Sequence, residues 1–429
     1  MKSIAVIVIV FVIAVAITNP IGNFPLNDDW DFSLSTWTLV HTGHVQHTPF
    51  TSNVAVLQYF WGALWTILFG ESSTVLRFST LFLALASTIL IYAILRRSEV
   101  PEHLALFSAL AFLFNPLIYW ASFTYMTDVP EMFLSIAAFA LLNEALRRDS
   151  DGWLVAAVLV AVASFFVRQI GILNAVVPLI AIRKKKFTIA YGAATALYLI
   201  LLASGALIES QQELHIHMLR PADILIGAAH YALLNMQNAA LFFLPLVILC
   251  VGRLQPADRL KPVRTLIFAI GFIAIAWHLI ALGRPIPYPI RGNIFINFAL
   301  GPATLRDTFV FGMPYPFHVA YGWRIALMIV STALAVLVAA FLMRNNIAAI
   351  YCIAGTVIVM FMRIYFDRYS IDTMWPLAIA IPVAFKDAKV KLAIIPLVIV
   401  AALSVAGTAE YLAWNRARWD GYRWLQSRG

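Results

Sequence analysis

The sequence predicts an all-α membrane protein that crosses the bilayer many times. Of its 429 residues, 62% are hydrophobic and 12% are charged, whereas a soluble domain has about 45–50% apolar and about 25% charged residues. Apolar runs recur from end to end, such as Val75–Leu95 and Ile325–Leu342. A spanning helix needs roughly 20 such residues. Because lipid offers the backbone no hydrogen-bond partner, these runs are expected to be helical.

We predict about 13 spans from these runs. The first, with Lys2 ahead of it, is interpreted as an uncleaved span rather than a signal peptide, because no A-x-A site follows it. The spans are 4–20, 74–95, 103–121, 128–147, 152–167, 169–183, 187–208, 230–251, 265–283, 321–343, 347–364, 371–385 and 392–410.

One further apolar stretch, 53–70, decides on which side every later loop lies. If it does not cross, the clusters Arg96–Arg97, Arg147–Arg148 and Arg183–Lys186 all lie in the cytoplasm, as the positive-inside rule requires. If it crosses, all three move outside. We therefore predict that 53–70 lies at the outer surface or re-enters the membrane there, where its aromatic residues suit the interface. These are Tyr59, Phe60, Trp61 and Trp65.

The first outer loop, 21–73, should then hold two juxtamembrane helices. Its earlier part places Trp30, Leu34, Trp37 and His41 on one helical face. A second outer loop, 284–320, is rich in proline, glycine and aromatic residues and is expected to fold over the outer surface. We predict one membrane domain over 1–410 and a short outer tail over 411–429, without a soluble C-terminal domain.

The net charge of +9 is attributed to cytoplasmic loops rather than to nucleic-acid binding. Cys250 and Cys352 fall inside apolar runs and are expected to be inert core residues. No metal-binding pattern such as C-x-x-C is present. The histidines at 41, 44, 47, 215 and 217 are interpreted as polar loop residues; for the first three, spaced i, i+3 and i+6, the alternative is a metal site. No cofactor is specified, and a divalent cation stays open as one.

Carboxylates occur at two places on the predicted outer side. Asp28 and Asp29 follow the first span, and their repulsion should raise at least one pKa, as a general base requires. Asp128 stands at the outer start of a span, where a carboxylate is costly and often functional. The alternative for both places is helix capping, with the Asp28–Asp29 turn solvated.

Two arginines are predicted on the same side. Arg168 lies in a tight turn between two spans, and Arg368 lies at a span end. Each could clamp a phosphate through paired hydrogen bonds; the alternative is snorkelling towards head groups. Two separated carboxylates and two arginines on one face form the set that a transfer site for a lipid-borne anionic substrate needs.

Four stretches carry a resemblance to a known superfamily. They are Asp28–Asp29–Trp30 with the helix to Gly43, the outer helix between Thr48–Pro49 and Leu76–Ser79, Asn115–Pro116 with Thr127–Asp128–Val129–Pro130, and Asp367–Arg368–Tyr369 with Pro376. In these the chain resembles the GT-C superfamily of lipid-linked-sugar glycosyltransferases. The closest likeness is to protein O-mannosyltransferases and to bacterial aminoarabinose transferases that modify lipid A.

The resemblance implies that a sugar moves from a polyprenyl phosphate to an acceptor hydroxyl of a lipid, glycan or protein, with inversion. It implies that Asp28 is the catalytic base, that Asp29 assists, and that Asp128 is the second acid. Arg368 and Tyr369 would bind the lipid phosphate. Apart from the resemblance, we expect Arg168 to assist Arg368 in stabilising charge on the departing phosphate. Thr48–Pro49 stands where relatives often have Pro–Pro, and the acceptor-docking domain that many relatives carry is not expected.

The predicted location is the plasma membrane of a bacterium or archaeon, with an extracytoplasmic active site. The expected partners are the polyprenyl-phosphate sugar, its acceptor and membrane lipids, and no nucleic acid. The alternative function is a transporter of a lipid or small anion, which would put charges near the bilayer midplane and often has repeated halves.

Overall fold

The computed structural model describes residues 2–26, 28–48, 55–204, 221–251, 270–271, 294–296, 299–301, 320–342, 346–362 and 365–428. Nearly all of them are helical, which confirms the all-α prediction. The elements are α1 Lys2–Thr18, α2 Asp29–Thr42, α3 Val56–Phe69, α4 Ser73–Arg97, α5 Glu102–Leu113, α6 Pro116–Ser122, α7 Asp128–Arg148, α8 Asp151–Phe165, α9 Leu173–Ala181, α10 Lys185–Ala203, α11 Pro221–Phe242, α12 Leu244–Val251, β1 Phe295–Ile296, β2 Ala299–Leu300, α13 Tyr321–Leu342, α14 Ile347–Met360, α15 Ile371–Ala384 and α16 Ile394–Gln426.

The chain is a multi-pass membrane protein, but the count of 13 spans is not confirmed. Among the described residues, five helices are long and apolar enough to cross a bilayer, or up to seven if each of two bent pairs is one span. Other predicted spans correspond to shorter apolar helices, such as α8 and α14. The predicted span 265–283 falls almost wholly outside the described residues.

Prolines explain why two predicted spans are broken helices. Span 103–121 is divided into α5 and α6, because Pro116 cannot donate to the preceding turn and keeps Asn115 out of the helical region. Span 230–251 is divided into α11 and α12, with Pro245 in the first turn of α12. The sequence predicts an outer loop over 209–229, between two of the spans. This is wrong for its last part, because α11 begins at Pro221, where proline suits a first turn.

The chain divides into two compact units. The first comprises Met1–Ile94, Ile118–His215 and Val405–Gly429, and the second comprises Leu95–Leu117 and Ile216–Ser404. In the first, α7 packs against α8 and α2 packs against α3. In the second, α11 packs against α13 and α14, and α14 packs against α15.

In the first unit, the two ends of the segment between α1 and α4 lie close together. The backbone N–H of Gly22 donates to Thr74 Oγ1 at 3.1 Å, and Arg77 donates to the Phe24 carbonyl at 2.9 Å. Arg77, itself 1% exposed, holds this loop from the first turns of α4. Between these ends α3 has only 14 residues, or about 21 Å. These contacts bring the two ends of the segment together; that 53–70 does not carry the chain across the membrane stays a prediction.

The C-terminal tail differs from the prediction. Residues 411–426 are not a separate tail but the last part of α16, a helix of 33 residues. Arg416 donates to the carbonyls of Asn19 and Ile21 at 3.0 and 2.9 Å, which holds this part of the helix against the loop after α1. Such long-range contacts are not visible in local sequence.

In the second unit, a two-stranded antiparallel hairpin of β1 and β2 occupies part of the predicted outer loop 284–320. Asp367 is fully buried and accepts the backbone N–H groups of Ile294 and Phe295 at 3.0 and 2.7 Å. The rest of that loop, and residues 209–220 of the other predicted outer loop, lie outside the described residues.

Candidate active site

Asp28 stands at the N-cap position of α2, and its side chain is exposed. It makes no side-chain cap hydrogen bond to that helix. The exposure of Asp28 agrees with the alternative of a solvated turn. A capping hydrogen bond to its side chain is not formed. An exposed carboxylate at the N-terminus of a helix can accept a proton from a molecule bound beside it.

Asp29 is buried, with 3% exposure, and both of its oxygens face backbone donors. Oδ1 accepts from the Leu26 N–H at 2.5 Å, and Oδ2 accepts from the Tyr125 N–H at 3.4 Å. Burial raises the pKa of Asp29 to about 7, against the lowering effects of Arg77 and these N–H groups. Repulsion from Asp28 also raises this pKa, but it contributes least. Desolvation, not the repulsion we expected, therefore dominates.

A third carboxylate lies in the same turn of the chain. Asp31 is buried, accepts a hydrogen bond from the Thr48 hydroxyl, and has its pKa raised, chiefly by burial. It joins the start of α2 to the segment that leads into α3. The sequence interpretation had assigned no role to Asp31 or Thr48.

Tyr125 connects three elements of the first unit. Its hydroxyl donates to the Gln58 carbonyl on α3 at 2.6 Å and lies 3.0 Å from Thr36 Oγ1 on α2. Its backbone N–H binds Asp29. Burial raises the pKa of the phenol, so it stays protonated and can donate. Tyr125 was missed as a site residue, although it precedes the Thr127–Asp128 stretch by two residues.

Asp128 and Arg168, predicted separately, form an ion pair with Nη1 2.6 Å from Oδ1. Asp128 is 3% exposed and begins α7, where the helix dipole favours a carboxylate. Thr127 is the N-cap residue, so Asp128 is not the cap itself. The Phe166 carbonyl accepts from Leu57 N–H at 2.8 Å, which brings α3 to the same turn as Arg168.

A buried polar network follows on the same face of α7, one turn from Asp128. Ser135 donates to Glu131 at 2.5 Å, and Asn174 donates to the hydroxyls of Ser135 and Ser164 at 2.6 and 3.0 Å. Polar groups inside a membrane protein are costly unless they bond with each other. Glu131 was not predicted as a site residue; its i+3 spacing from Asp128 was the available signal.

The first unit thus brings four predicted residues to one group of loops. Asp29, the neighbour of Asp28, accepts the backbone N–H of Tyr125 in the 123–127 loop, and Asp128 at the end of that loop binds Arg168. The α3 helix contacts both this loop and the 166–168 turn. That this group of loops lies on the outer face of the membrane stays a prediction; the sequence predicted neither the ion pair nor the part played by Tyr125.

Arg368 and Tyr369 belong to the second unit, in a 3-10 turn over Asp367–Ser370 that leads into α15. The Arg368 guanidinium carbon lies 5.4 Å from the Phe366 ring centre and 6.0 Å from that of Tyr369. Asp367, which was quoted only as part of the motif, positions this turn through the β-hairpin. Its backbone partners lie far away in sequence.

No group of three metal-binding side chains occurs among the described residues. His41 instead lies 2.6 Å from Glu71, and His47 lies 3.3 Å from the Tyr59 hydroxyl. His215 and His217 lie outside the described residues. Cys250 and Cys352 are both buried, which confirms the prediction for them.

Residues 53–208 match the model of a family described as dolichyl-phosphate-mannose-protein mannosyltransferase. This match confirms the resemblance to the GT-C superfamily over that part of the chain and supports a glycosyltransferase. No curated protein matches the chain significantly.

Two crystal structures of ArnT from Cupriavidus metallidurans resemble the chain weakly. The structure bound to undecaprenyl phosphate is 14% identical, with a TM-score of 0.42, and the match covers 96% of this chain and 76% of that one. For the apo structure the identity is 13% and the TM-score 0.40, with 93% and 77% covered.

Proposed function

We propose that the chain, which matches a mannosyltransferase family over residues 53–208, transfers a sugar from a polyprenyl-phosphate donor to an acceptor hydroxyl. The acceptor is a lipid, glycan or protein on the extracytoplasmic face of a bacterial or archaeal plasma membrane. The description of that family names dolichyl phosphate mannose, which supports a donor of this class. The loops that hold Asp28, Asp29 and Asp128 are the proposed active site.

The observation that carries the proposal is the contrast between two adjacent carboxylates. Asp28 is exposed, whereas Asp29 is buried and bound to two backbone N–H groups. An exposed carboxylate can reach an acceptor, and a buried one can hold its neighbour in place. Asp28 is therefore the proposed base, and Asp29 is the proposed positioning residue.

The proposed step is a direct displacement. Asp28 takes the proton of the acceptor hydroxyl while the oxygen of that hydroxyl forms a bond to C1 of the sugar. The bond from C1 to the phosphate oxygen breaks, and its electron pair leaves with the polyprenyl phosphate. Attack opposite the leaving group inverts the anomeric carbon.

Asp128 and Arg168 have a joint role in this proposal. Since Arg168 already binds Asp128, the pair holds the 123–127 loop, and with it Tyr125, against Asp29. A guanidinium carries five N–H donors, and Arg168 is proposed to bind a phosphate oxygen of the donor as well as Asp128. The pair is thus proposed to position the acidic segment and to attract the anionic donor.

Arg368 and Tyr369 are proposed to bind the lipid phosphate, as the family resemblance implies. Stacking against the Phe366 ring restricts the orientation of the Arg368 guanidinium. A guanidinium oriented in this way can stabilise the negative charge that develops on a departing phosphate. The alternative of a transporter gains no support from the family match.

The test uses the purified full chain in detergent with a radiolabelled polyprenyl-phosphate sugar and a membrane extract as the acceptor source. We expect release of free polyprenyl phosphate together with labelled acceptor. Asp28→Asn should reduce this transfer at least about 100-fold, as expected for loss of a general base. Asp151→Asn, which changes an exposed carboxylate at the start of α8, is the matched control.

Near-normal transfer by Asp28→Asn, with the protein folded and present at the same level, would refute the assignment of the base. Transport of intact labelled donor across proteoliposomes without release of polyprenyl phosphate would refute the glycosyltransferase and favour the carrier.

A further inference from the structure

The last part of α16, with the turn that follows it, spans residues 411–428 and has a feature that the proposed transfer reaction does not use. The helix has 33 residues, or about 50 Å, whereas the hydrocarbon core is about 30 Å thick. Its apolar sequence ends near Glu410. A span that begins at Ile394 therefore leaves the hydrocarbon near Ala413, and the following turns reach the head-group region and beyond.

One face of this segment is held by the protein. Arg416 donates to the carbonyls of Asn19 and Ile21, and Arg423 donates to that of Asn23 at 3.4 Å. Asp420, the one acidic residue between 411 and 428, lies 2.6 Å from Arg423. The charges of this face are thus satisfied within the first unit.

The opposite face is exposed and combines cations with aromatic rings. Trp414, Arg418, Leu425 and Arg428 recur at helical spacing, and Trp414, Trp424 and Leu425 are 46%, 53% and 63% exposed. The Arg418 guanidinium lies 5.1 Å from the Trp414 ring centre, and that of Arg428 lies 4.3 Å from the Trp424 ring centre. Glu410 precedes Trp414 by one helical turn. We name this surface, formed by Trp414, Arg418, Trp424, Leu425 and Arg428, the Arg/Trp face.

We propose that the Arg/Trp face binds the head groups of anionic phospholipids at the bilayer surface. Tryptophan rings prefer the depth at which head groups meet acyl chains. Guanidinium groups bind phosphate oxygens through paired hydrogen bonds. Basic residues next to a span end also attract anionic lipid electrostatically. The positive charge of the arginines is complementary to the negative head groups of such lipids. The tryptophan rings can pack against the upper part of the acyl chains.

This contact has a structural consequence. The same helix segment holds the loop after α1 through Arg416 and Arg423, and that loop leads directly to Asp28 and Asp29. Lipid bound at the Arg/Trp face therefore sets the height of the acidic segment relative to the bilayer. The lipid contact itself does not depend on the proposed transfer reaction.

The test uses the full chain in nanodiscs of phosphatidylcholine with increasing fractions of brominated phosphatidylglycerol. Bromine quenches nearby tryptophan fluorescence. We expect stronger quenching than with brominated phosphatidylcholine, and we expect Trp414→Phe with Trp424→Phe to remove the excess. The double variant Arg418→Gln with Arg428→Gln should need a higher fraction of brominated phosphatidylglycerol for half-maximal quenching, by about fivefold for each arginine removed.

The matched control removes two charges elsewhere, by Arg183→Gln with Lys185→Gln at exposed positions before and at the start of α10. An equal loss of quenching in this control would overturn the proposal, because bulk charge would then explain it. Unchanged half-quenching in Arg418→Gln with Arg428→Gln would also overturn it. If that double variant does not fold, Arg428→Gln alone, near the chain end, serves the same purpose.

Inorganic phosphate at constant ionic strength separates a lipid surface from a site for a soluble anion. We expect no release of the excess quenching. Release by phosphate, but not by chloride, would overturn the proposal in favour of a soluble phosphate site.

Discussion

Arg168 binds Asp128 across 40 positions of sequence, with Nη1 2.6 Å from Oδ1. Asp128 is almost wholly buried and Arg168 is 18% exposed. Two residues that looked like separate ligands for a substrate are thus first of all ligands for each other. The pair ties the start of α7 to the turn before α9, and it neutralises a carboxylate that would otherwise be costly at the edge of the hydrocarbon.

The pair predicts a strong energetic coupling. Asp128→Asn or Arg168→Gln alone leaves a poorly compensated buried group and should lower the free energy of unfolding by about 3–5 kcal/mol. In the double variant the loss of free energy of unfolding should be smaller than the sum of the two single losses by at least about 1 kcal/mol. Denaturant unfolding of the purified chain measures all three. The exposed pair Asp420–Arg423 is the control, with little coupling expected; additive losses at Asp128 and Arg168 would contradict this prediction.

The raised pKa of Asp29 predicts how transfer depends on pH. With a pKa of about 7, Asp29 is mostly protonated at pH 6 and mostly ionised at pH 8. In its ionised form Asp29 accepts the N–H groups of Leu26 and Tyr125 and so holds the acidic segment, with the proposed base Asp28, in place. We expect the transfer rate to rise through pH 7 in the native protein and to lose this inflection in Asp29→Asn. The same inflection in the variant would show that another group titrates.

The same pKa predicts a change in stability. Since the pKa of Asp29 is higher in the folded chain than the ordinary value of 3.8, ionisation costs the folded state. This cost is absent below about pH 4, grows between 4 and 7, and is complete above 7. The melting temperature of the native protein minus that of Asp29→Asn should therefore be larger at pH 5 than at pH 8. The reverse order would mean that the Arg77 interaction outweighs burial.

Gly62 on α3 lets the Tyr125 hydroxyl approach the helix backbone. A methyl group there would overlap that hydroxyl and come within 2.9 Å of the Thr36 methyl. Gly62→Ala should cost about 1–3 kcal/mol of stability by overpacking and reduce transfer, since Tyr125 also binds Asp29. Gly227→Ala, in a helix where a methyl group meets open space, should be neutral or stabilising. Equal effects of the two changes, measured by thermal unfolding, would refute this account of Gly62.

Hydrophobic composition was enough to predict the all-α membrane class. Basic clusters at span ends predict that 53–70 does not cross, and the Gly22–Thr74 and Arg77–Phe24 contacts bring the two ends of that segment together. Both predictions rest on properties that act locally: the cost of an unbonded backbone in lipid, and the retention of positive charge in the cytoplasm. Prolines at 116 and 245 were visible as well, but their effect on two predicted spans was underestimated.

Tertiary structure alone decided how the acidic residues differ. In the sequence Asp28 and Asp29 are equivalent neighbours, yet one is exposed and the other is buried between Leu26 and the distant Tyr125. The partnership of Asp128 with Arg168, and the continuation of α16 along the loop after α1, likewise depend on contacts between segments far apart in the chain. Burial and pairing set these properties, and neither can be read from a residue type or from its near neighbours, because the atoms responsible come from other helices.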